Sequence, residues 1–167
     1  MKRVSIFIDV QNIYYTTKQI FKSNFDYNKF WKKITYDREV VAAFAYTTNR
    51  NDTKQIQNIL KGIGFKVKLK PFISRNDGSS KGDWDVGITI DIMDYAPKSD
   101  IIVLASGDGD FDLLIKKVIS KNKVFAEVYG VEELTANSLK KSASKFYKID
   151  NSLLLKWKFN ISLPNGY

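Results

Sequence analysis

The stretch IIVLASGDGDFDLLIKK, Ile101 to Lys117, decides the fold. Five apolar residues, Ile101 to Ala105, read as a buried strand. They run straight into Ser106-Gly107-Asp108-Gly109-Asp110, after which an apolar helical pattern begins at Phe111. A buried strand that ends in glycine-spaced carboxylates and turns into a helix is half of a strand–helix–strand unit. The rest of the chain repeats the alternation.

Further apolar runs, Val4 to Val10, Val40 to Tyr46 and Val124 to Tyr129, read as strands beside Ile101 to Ser106. Helical patterns lie between them at Ile13 to Phe21, Asp26 to Ile34, Thr53 to Ile63, Trp84 to Ala96 and Phe111 to Ser120. Near-continuous apolar strands alternating with helices predict an α/β fold, a parallel sheet covered on both faces. Phe65-Lys66-Val67-Lys68-Leu69-Lys70 alternates strictly and predicts a strand with one wet, lysine-bearing face. It suits an edge strand that uses lysine to discourage pairing, or a rim that contacts phosphate. Residues 73–82, ISRNDGSSKG, read as a surface loop, with a lid or an RNA-contacting arm as the functional alternative. One domain is expected over residues 1–150, followed by a tail, 151–167, that packs back or mediates self-association. A homodimer is among the assemblies such a tail allows.

Composition narrows the chemistry. The chain has 167 residues, 44% of them hydrophobic, enough for a real core. It has no cysteine and no histidine, so disulfides, thiolate zinc sites, cysteine nucleophiles and histidine bases are excluded. Any metal must be held by oxygen, which suits Mg²⁺ or Mn²⁺. Lys+Arg number 27 against 18 Asp+Glu, a net charge of +9. That surplus favours anionic partners, nucleic acid ahead of membrane, although a lysine-rich protein without such a partner has the same composition. The opening MKRVSIFIDVQN carries too short an apolar run for a signal peptide, and no run approaches a membrane span. A cytoplasmic protein is the expectation.

In an open parallel sheet, sites form outside the carboxyl ends of the strands. Asp9 ends the run VSIFID with Asn12 on the turn after it, and Asp108 and Asp110 follow IIVLAS. Glycines 107 and 109 permit tight turns there. On a helical wheel Asp83, Asp91 and Asp94 group with Gly87 as a solvated face, whereas Asp85 falls on the side of Ile92 and Ala96. An acid on an apolar face needs a partner, and a bound cation supplies one. Each acid has a plainer role open to it: Asp110 or Asp9 as a helix cap, Asp108 as a turn residue, Asp85 as a dipole-satisfying acid. Together they suit a divalent-ion site that activates water for displacement at phosphorus.

IFIDVQNIY, KGDWDVGITIDIMDYA, DIIVLASGDGDFDLLIKKV and LTANSLKKSASKFYKI occur in that order. Together they resemble the NYN domains of the LabA-like (DUF88) group in the PIN-like nuclease superfamily, from Val4 to about Ile149. The resemblance implies a PIN-like, Rossmann-like three-layer sandwich and a metal-dependent ribonuclease-type site. It carries metal-binding and catalytic roles to Asp9, Asp85, Asp108 and Asp110. It gives Asn12 the orientation of Asp9 or of a water, Lys81 a phosphate contact, and Ser106 loop geometry beside the substrate. Asp91 also matches a family acid, but the wheel sets it about 120° from Asp85. The chain departs from many relatives in the residue pair Asp83-Trp84 ahead of Asp85, so Asp83 competes for the same role. The implied function is a Mg²⁺ or Mn²⁺-dependent ribonuclease acting on RNA. A non-catalytic RNA- or protein-binding regulatory module is the alternative.

Overall fold

The computed structural model describes residues 1–70, the backbone of 73–74 and 80–81, and residues 83–156. Six strands form one sheet: β1 (Lys2–Asp9), β2 (Arg38–Thr48), β3 (Lys66–Lys70), β6 (Ile101–Ala105), β7 (Phe125–Gly130) and β8 (Lys145–Lys148). Their order is β3-β2-β1-β6-β7-β8 and every pairing is parallel. The chain winds outward from β1 to one side through β2 and β3, then crosses to β6 and winds to the other. The gap above β1 and β6 is therefore the switch point, where loops diverge and a crevice opens. Two short strands, β4 (Ile73–Ser74) and β5 (Ser80–Lys81), pair as a hairpin, so the ends of the expected loop at 73–82 are ordered against each other.

Helices cover both faces, as the buried strands require. On one side lie α1 (Val10–Phe21), α2 (Tyr27–Thr35) and α3 (Lys54–Ile63); on the other lie α4 (Asp85–Tyr95), α5 (Asp112–Asn122) and α6 (Asn137–Ser142). The strand alternation sorts side chains between them. Ile6 and Ile8 of β1 and Val103 of β6 pack with Ile13, Phe30 and Leu60. Phe7, Ile102 and Leu104 point the opposite way and pack with Ile88, Ile92, Ile115 and Val118. All of these are essentially inaccessible to water, and each such side chain contributes about 1.5–3 kcal/mol of burial free energy. Past β8, Leu153 and Leu154 are buried against the α1–α3 face, and Asp26 N–H donates to the Leu153 carbonyl at 2.7 Å. No helix among the described residues is long and apolar enough to cross a membrane.

Two expectations change. The lysine face of β3 is only partly wet: β3 is an edge strand and Lys66 is exposed, but Lys68 and Lys70 fold over aromatic rings. The Lys68 ammonium lies 4.6 Å from the Phe44 ring centre, and that of Lys70 lies 4.7 Å from the Trp84 ring. Long stems covering apolar surface while the ammonium meets a π-face make this side of the strand half-buried. The second concerns Asp91, placed on a solvated face by the wheel. It is 15% exposed and accepts the Tyr46 hydroxyl at 2.7 Å and the Lys68 ammonium at 2.6 Å. The wheel placed the helix face correctly relative to Asp85, but could not show that β2 and β3 extend beneath it.

A candidate metal centre at the sheet switch point

The parallel pairing of β1 with β6, Ile8 opposite Ala105, delivers Asp9 and the Ser106–Asp110 loop to the same edge. Ser106 locks them together. Fully buried, its hydroxyl donates to Asp9 Oδ2 at 3.1 Å and accepts the Asp108 N–H at 3.2 Å. Asn12 adds a second tie, its Oδ1 accepting the Gly107 N–H at 2.9 Å. Its own N–H points to Asp9 Oδ1 at 3.4 Å, a long capping bond at the start of α1. Asp108 caps the next turn, its Oδ1 accepting the Asp110 N–H at 2.9 Å. Capping thus coexists with the cluster and leaves the second Asp108 oxygen for the cleft.

Asp85 arrives from across the crevice. It opens α4, and the Asp83 Oδ1 accepts its N–H at 3.2 Å. Asp83 receives the helix N-terminus from an exposed position and also lines the cleft, while Asp85 is the half-buried acid of the two. Trp84 anchors the entry, its indole N–H donating to the Thr47 carbonyl at 2.8 Å. Carboxylate oxygens of Asp85, Asp108 and Asp110 lie within 4.8 Å of one another. Asp9, Asp83, Asp85 and Asp108 line an open cleft of about 250 Å³, and Asp110 stands at its exposed outer rim. The rest of the lining is a stripe of α1, with Gln11, Asn12, Tyr15 and Thr16. Gln11, Tyr15 and Thr16 did not stand out in the sequence. Their only signal is the helical spacing of four and five residues from Gln11 once Asn12 is placed.

The electrostatics follow from crowding like charges. Burial, then a hydrogen bond to Asp108 and its negative charge, push the Asp85 carboxyl up to about 7, with Asp83 and Asp9 adding to the effect. This overrides the lowering that a helix N-terminus gives an acid. Asp9 is raised to about 6 by burial, against the opposing hydrogen bonds from Asn12 and Ser106. Among the described residues none of Asp9, Asp85, Asp108 or Asp110 pairs with a lysine or arginine. An all-oxygen donor set, close-spaced and short of positive charge, fits a hard divalent ion. Of the remaining expected site residues, Lys81 lies in β5, and its side chain falls outside the described residues.

Glycines 107 and 109 are required for a different reason from the expected turn. Neither has a positive φ. A Cβ on Gly107 would lie 2.9 Å from the Leu134 carbonyl oxygen, and one on Gly109 would lie 2.8 Å from the Ala136 Cβ. The segment entering α6 presses onto the acidic loop, and only glycine admits that approach.

A switch-point cleft lined by carboxylates, on a parallel sheet of this order covered by helices on both faces, is consistent with the PIN-like fold of NYN domains. Residues 3–150 match the NYN domain family, and the chain belongs to that family. It is 26% identical to the low amplitude and bright protein LabA of Synechococcus elongatus, over 89% of this chain and 84% of that protein. It also resembles the crystal structure of a protein of unknown function from Vibrio parahaemolyticus. There the identity is 47% and the TM-score 0.87, covering 92% of this chain and 96% of the other.

Proposed function

We propose that this protein is a Mg²⁺ or Mn²⁺-dependent ribonuclease that hydrolyses RNA phosphodiester bonds at the β1–β6 switch point. The carrying observation is the close group of Asp85, Asp108 and Asp110 with Asp9 beside it, held without a cationic side chain among the described residues. Four carboxylates in one cleft, two of them pushed toward neutrality, destabilise the fold unless something positive joins them. The net charge of +9 supplies the complementary condition, a basic protein around an acidic pit.

Asp85, Asp108 and Asp110 would hold the ion, with Asp9 as the fourth carboxylate. When bound, such an ion supplies Lewis acidity to a phosphoryl oxygen and lowers the pKa of a coordinated water. The chain's own contribution is placement. Ser106 fixes the separation of Asp9 and Asp108, and Asn12 pins the loop at Gly107. Lys70, donating to the Asp83 carbonyl at 3.2 Å, steadies the entry to α4. In the reaction a water oxygen bonds to phosphorus as the opposite ester bond breaks, and the departing oxygen takes up a proton from solvent, giving a phosphate monoester and a free hydroxyl. The proton lost by water passes to a carboxylate or to solvent, because no histidine exists to take it. Lys81, on the hairpin, is assigned to the phosphate backbone.

Cleavage of end-labelled RNA in Mn²⁺, with an EDTA control, tests this. Activity is expected to vanish with EDTA and in Asp108→Ala protein. Cleavage that survives in Asp108→Ala would refute the assignment, and salt-sensitive RNA binding without turnover in any metal would favour the binding-module alternative.

A further inference from the structure

The cleft lining has two unlike parts. One is acidic. The other is the α1 stripe, where Gln11, Asn12, Tyr15 and Thr16 fall on one helix face while Val10, Ile13 and Thr17 are buried beneath. Tyr15 is 53% exposed although it belongs to the cleft lining. Its ring and that of Tyr14 form a T-shaped pair, with centres 5.5 Å apart and planes at 78°, so the two rings are not stacked on each other. Among the described residues it is the one aromatic side chain lining the cleft. Gln11, one turn before it, carries an amide that can both donate and accept. Thr16 has already committed its hydroxyl hydrogen to the Asn12 carbonyl at 2.7 Å.

An exposed aromatic ring that is not stacked on its neighbour, beside a site for phosphate chemistry, has a specific use. Bases stack on such rings with little regard to sequence, because every base has a π-face. Inside a duplex both faces of a base are already covered by neighbours, so only an unpaired base can reach the ring. We propose that Tyr15 is the stacking platform for a base next to the scissile phosphate, and that it makes unpaired RNA the preferred substrate over duplex RNA. Gln11 meets the edge of that base. This assignment rests on the ribonuclease reading for the position of the phosphate, but it predicts binding behaviour of its own. Tyr15 is a positioning residue in this scheme; the ring does the work and the hydroxyl does not.

The test uses the whole 167-residue chain carrying Asp108→Asn, so that binding is read without cleavage. The probe is a short single-stranded RNA with one 2-aminopurine, whose fluorescence falls when it stacks. The expected result is quenching on binding, lost in Tyr15→Ala with affinity about 5- to 100-fold weaker, and retained in Tyr15→Phe. On an RNA whose probed position is abasic, and on duplex RNA, Tyr15→Ala should change affinity less than twofold. Equal affinity of Tyr15→Ala and its parent for the single strand would overturn the proposal. So would an equal loss on the abasic or duplex RNA. Melting temperatures of the variants are measured alongside, and Tyr15→Leu repeats the comparison without an exposed cavity. The two readings separate cleanly. Quenching with no cleavage by the unsubstituted protein removes the nuclease reading alone; cleavage with no Tyr15 dependence removes this one alone.

Discussion

Asp85 and Asp91 sit on the same helix, six residues apart, and have opposite fates. Asp91 faces β2 and β3, where Tyr46 and Lys68 complete it. Asp85 faces β1 and β6, where it meets Asp108 and its carboxyl rises to about 7. Other acids of the chain follow the Asp91 pattern. Buried Glu127 is gripped by the Arg38 guanidinium through two bonds of 2.9 Å, and Asp100 is bridged by Arg3. The fold thus provides cations for Asp91, Glu127 and Asp100 and, among the described residues, none for the acids at the β1–β6 edge. A carboxylate's job here is set by whether the neighbouring strand supplies its counter-charge.

The largest expected effect separates the two acids by chemistry. Asp85→Asn or Asp108→Asn should lower metal-dependent RNA cleavage by about 10³-fold or more, since Lewis-acid stabilisation is worth several kcal/mol. Asp91→Asn should leave the rate of the folded fraction within about tenfold, as measured by single-turnover cleavage. Equal losses at Asp85 and Asp91 would break the contrast.

Stability should show the reverse pattern. Lys68→Met strands a partly buried Asp91 and is expected to cost about 1–3 kcal/mol in urea unfolding, the range for losing one partner of such a pair after allowing for partial exposure. Asp85→Asn, in metal-free buffer, should instead raise the melting temperature by a few degrees because it removes repulsion.

A smaller effect lies in pH. The folded carboxyls of Asp9 and Asp85 sit at about 6 and about 7, above the value near 4 of an unfolded aspartate. Between about pH 4 and 7 the folded chain therefore holds more protons than the unfolded one, and stability falls as pH rises through that window. The metal-free protein should melt at a progressively lower temperature from pH 5 to 7.5. Saturating Mn²⁺ should flatten the slope, because the ion favours the ionised forms, and Asp85→Asn should reduce it. A slope of the opposite sign would contradict the electrostatic picture.

Much of this was legible before any coordinates. The runs at Val4, Val40, Ile101 and Val124 are apolar on both faces because both faces are covered, and that pattern alone predicts a parallel sheet with its acids at one edge. What escaped is short or relational. The strand Lys145–Lys148 has four residues and the helix Asn137–Ser142 six, too few for a period to register. The need for glycine at 107 and 109 comes from the Leu134–Ala136 segment, distant in sequence but in contact in space. Asp91 looked solvated because its partners, Tyr46 and Lys68, come from two other strands. Tyr15 and Gln11 were invisible for the converse reason: a helix surface residue gains meaning only when a cleft forms above it.

Mn²⁺ titration by electron paramagnetic resonance tests the central claim most directly, comparing the unsubstituted chain with Asp108→Asn and Asp91→Asn. Saturable binding is expected in the unsubstituted protein and in Asp91→Asn, and should be lost or weakened by at least tenfold in Asp108→Asn. Binding that persists undiminished in Asp108→Asn, or a protein that takes up no Mn²⁺ at all, would contradict it.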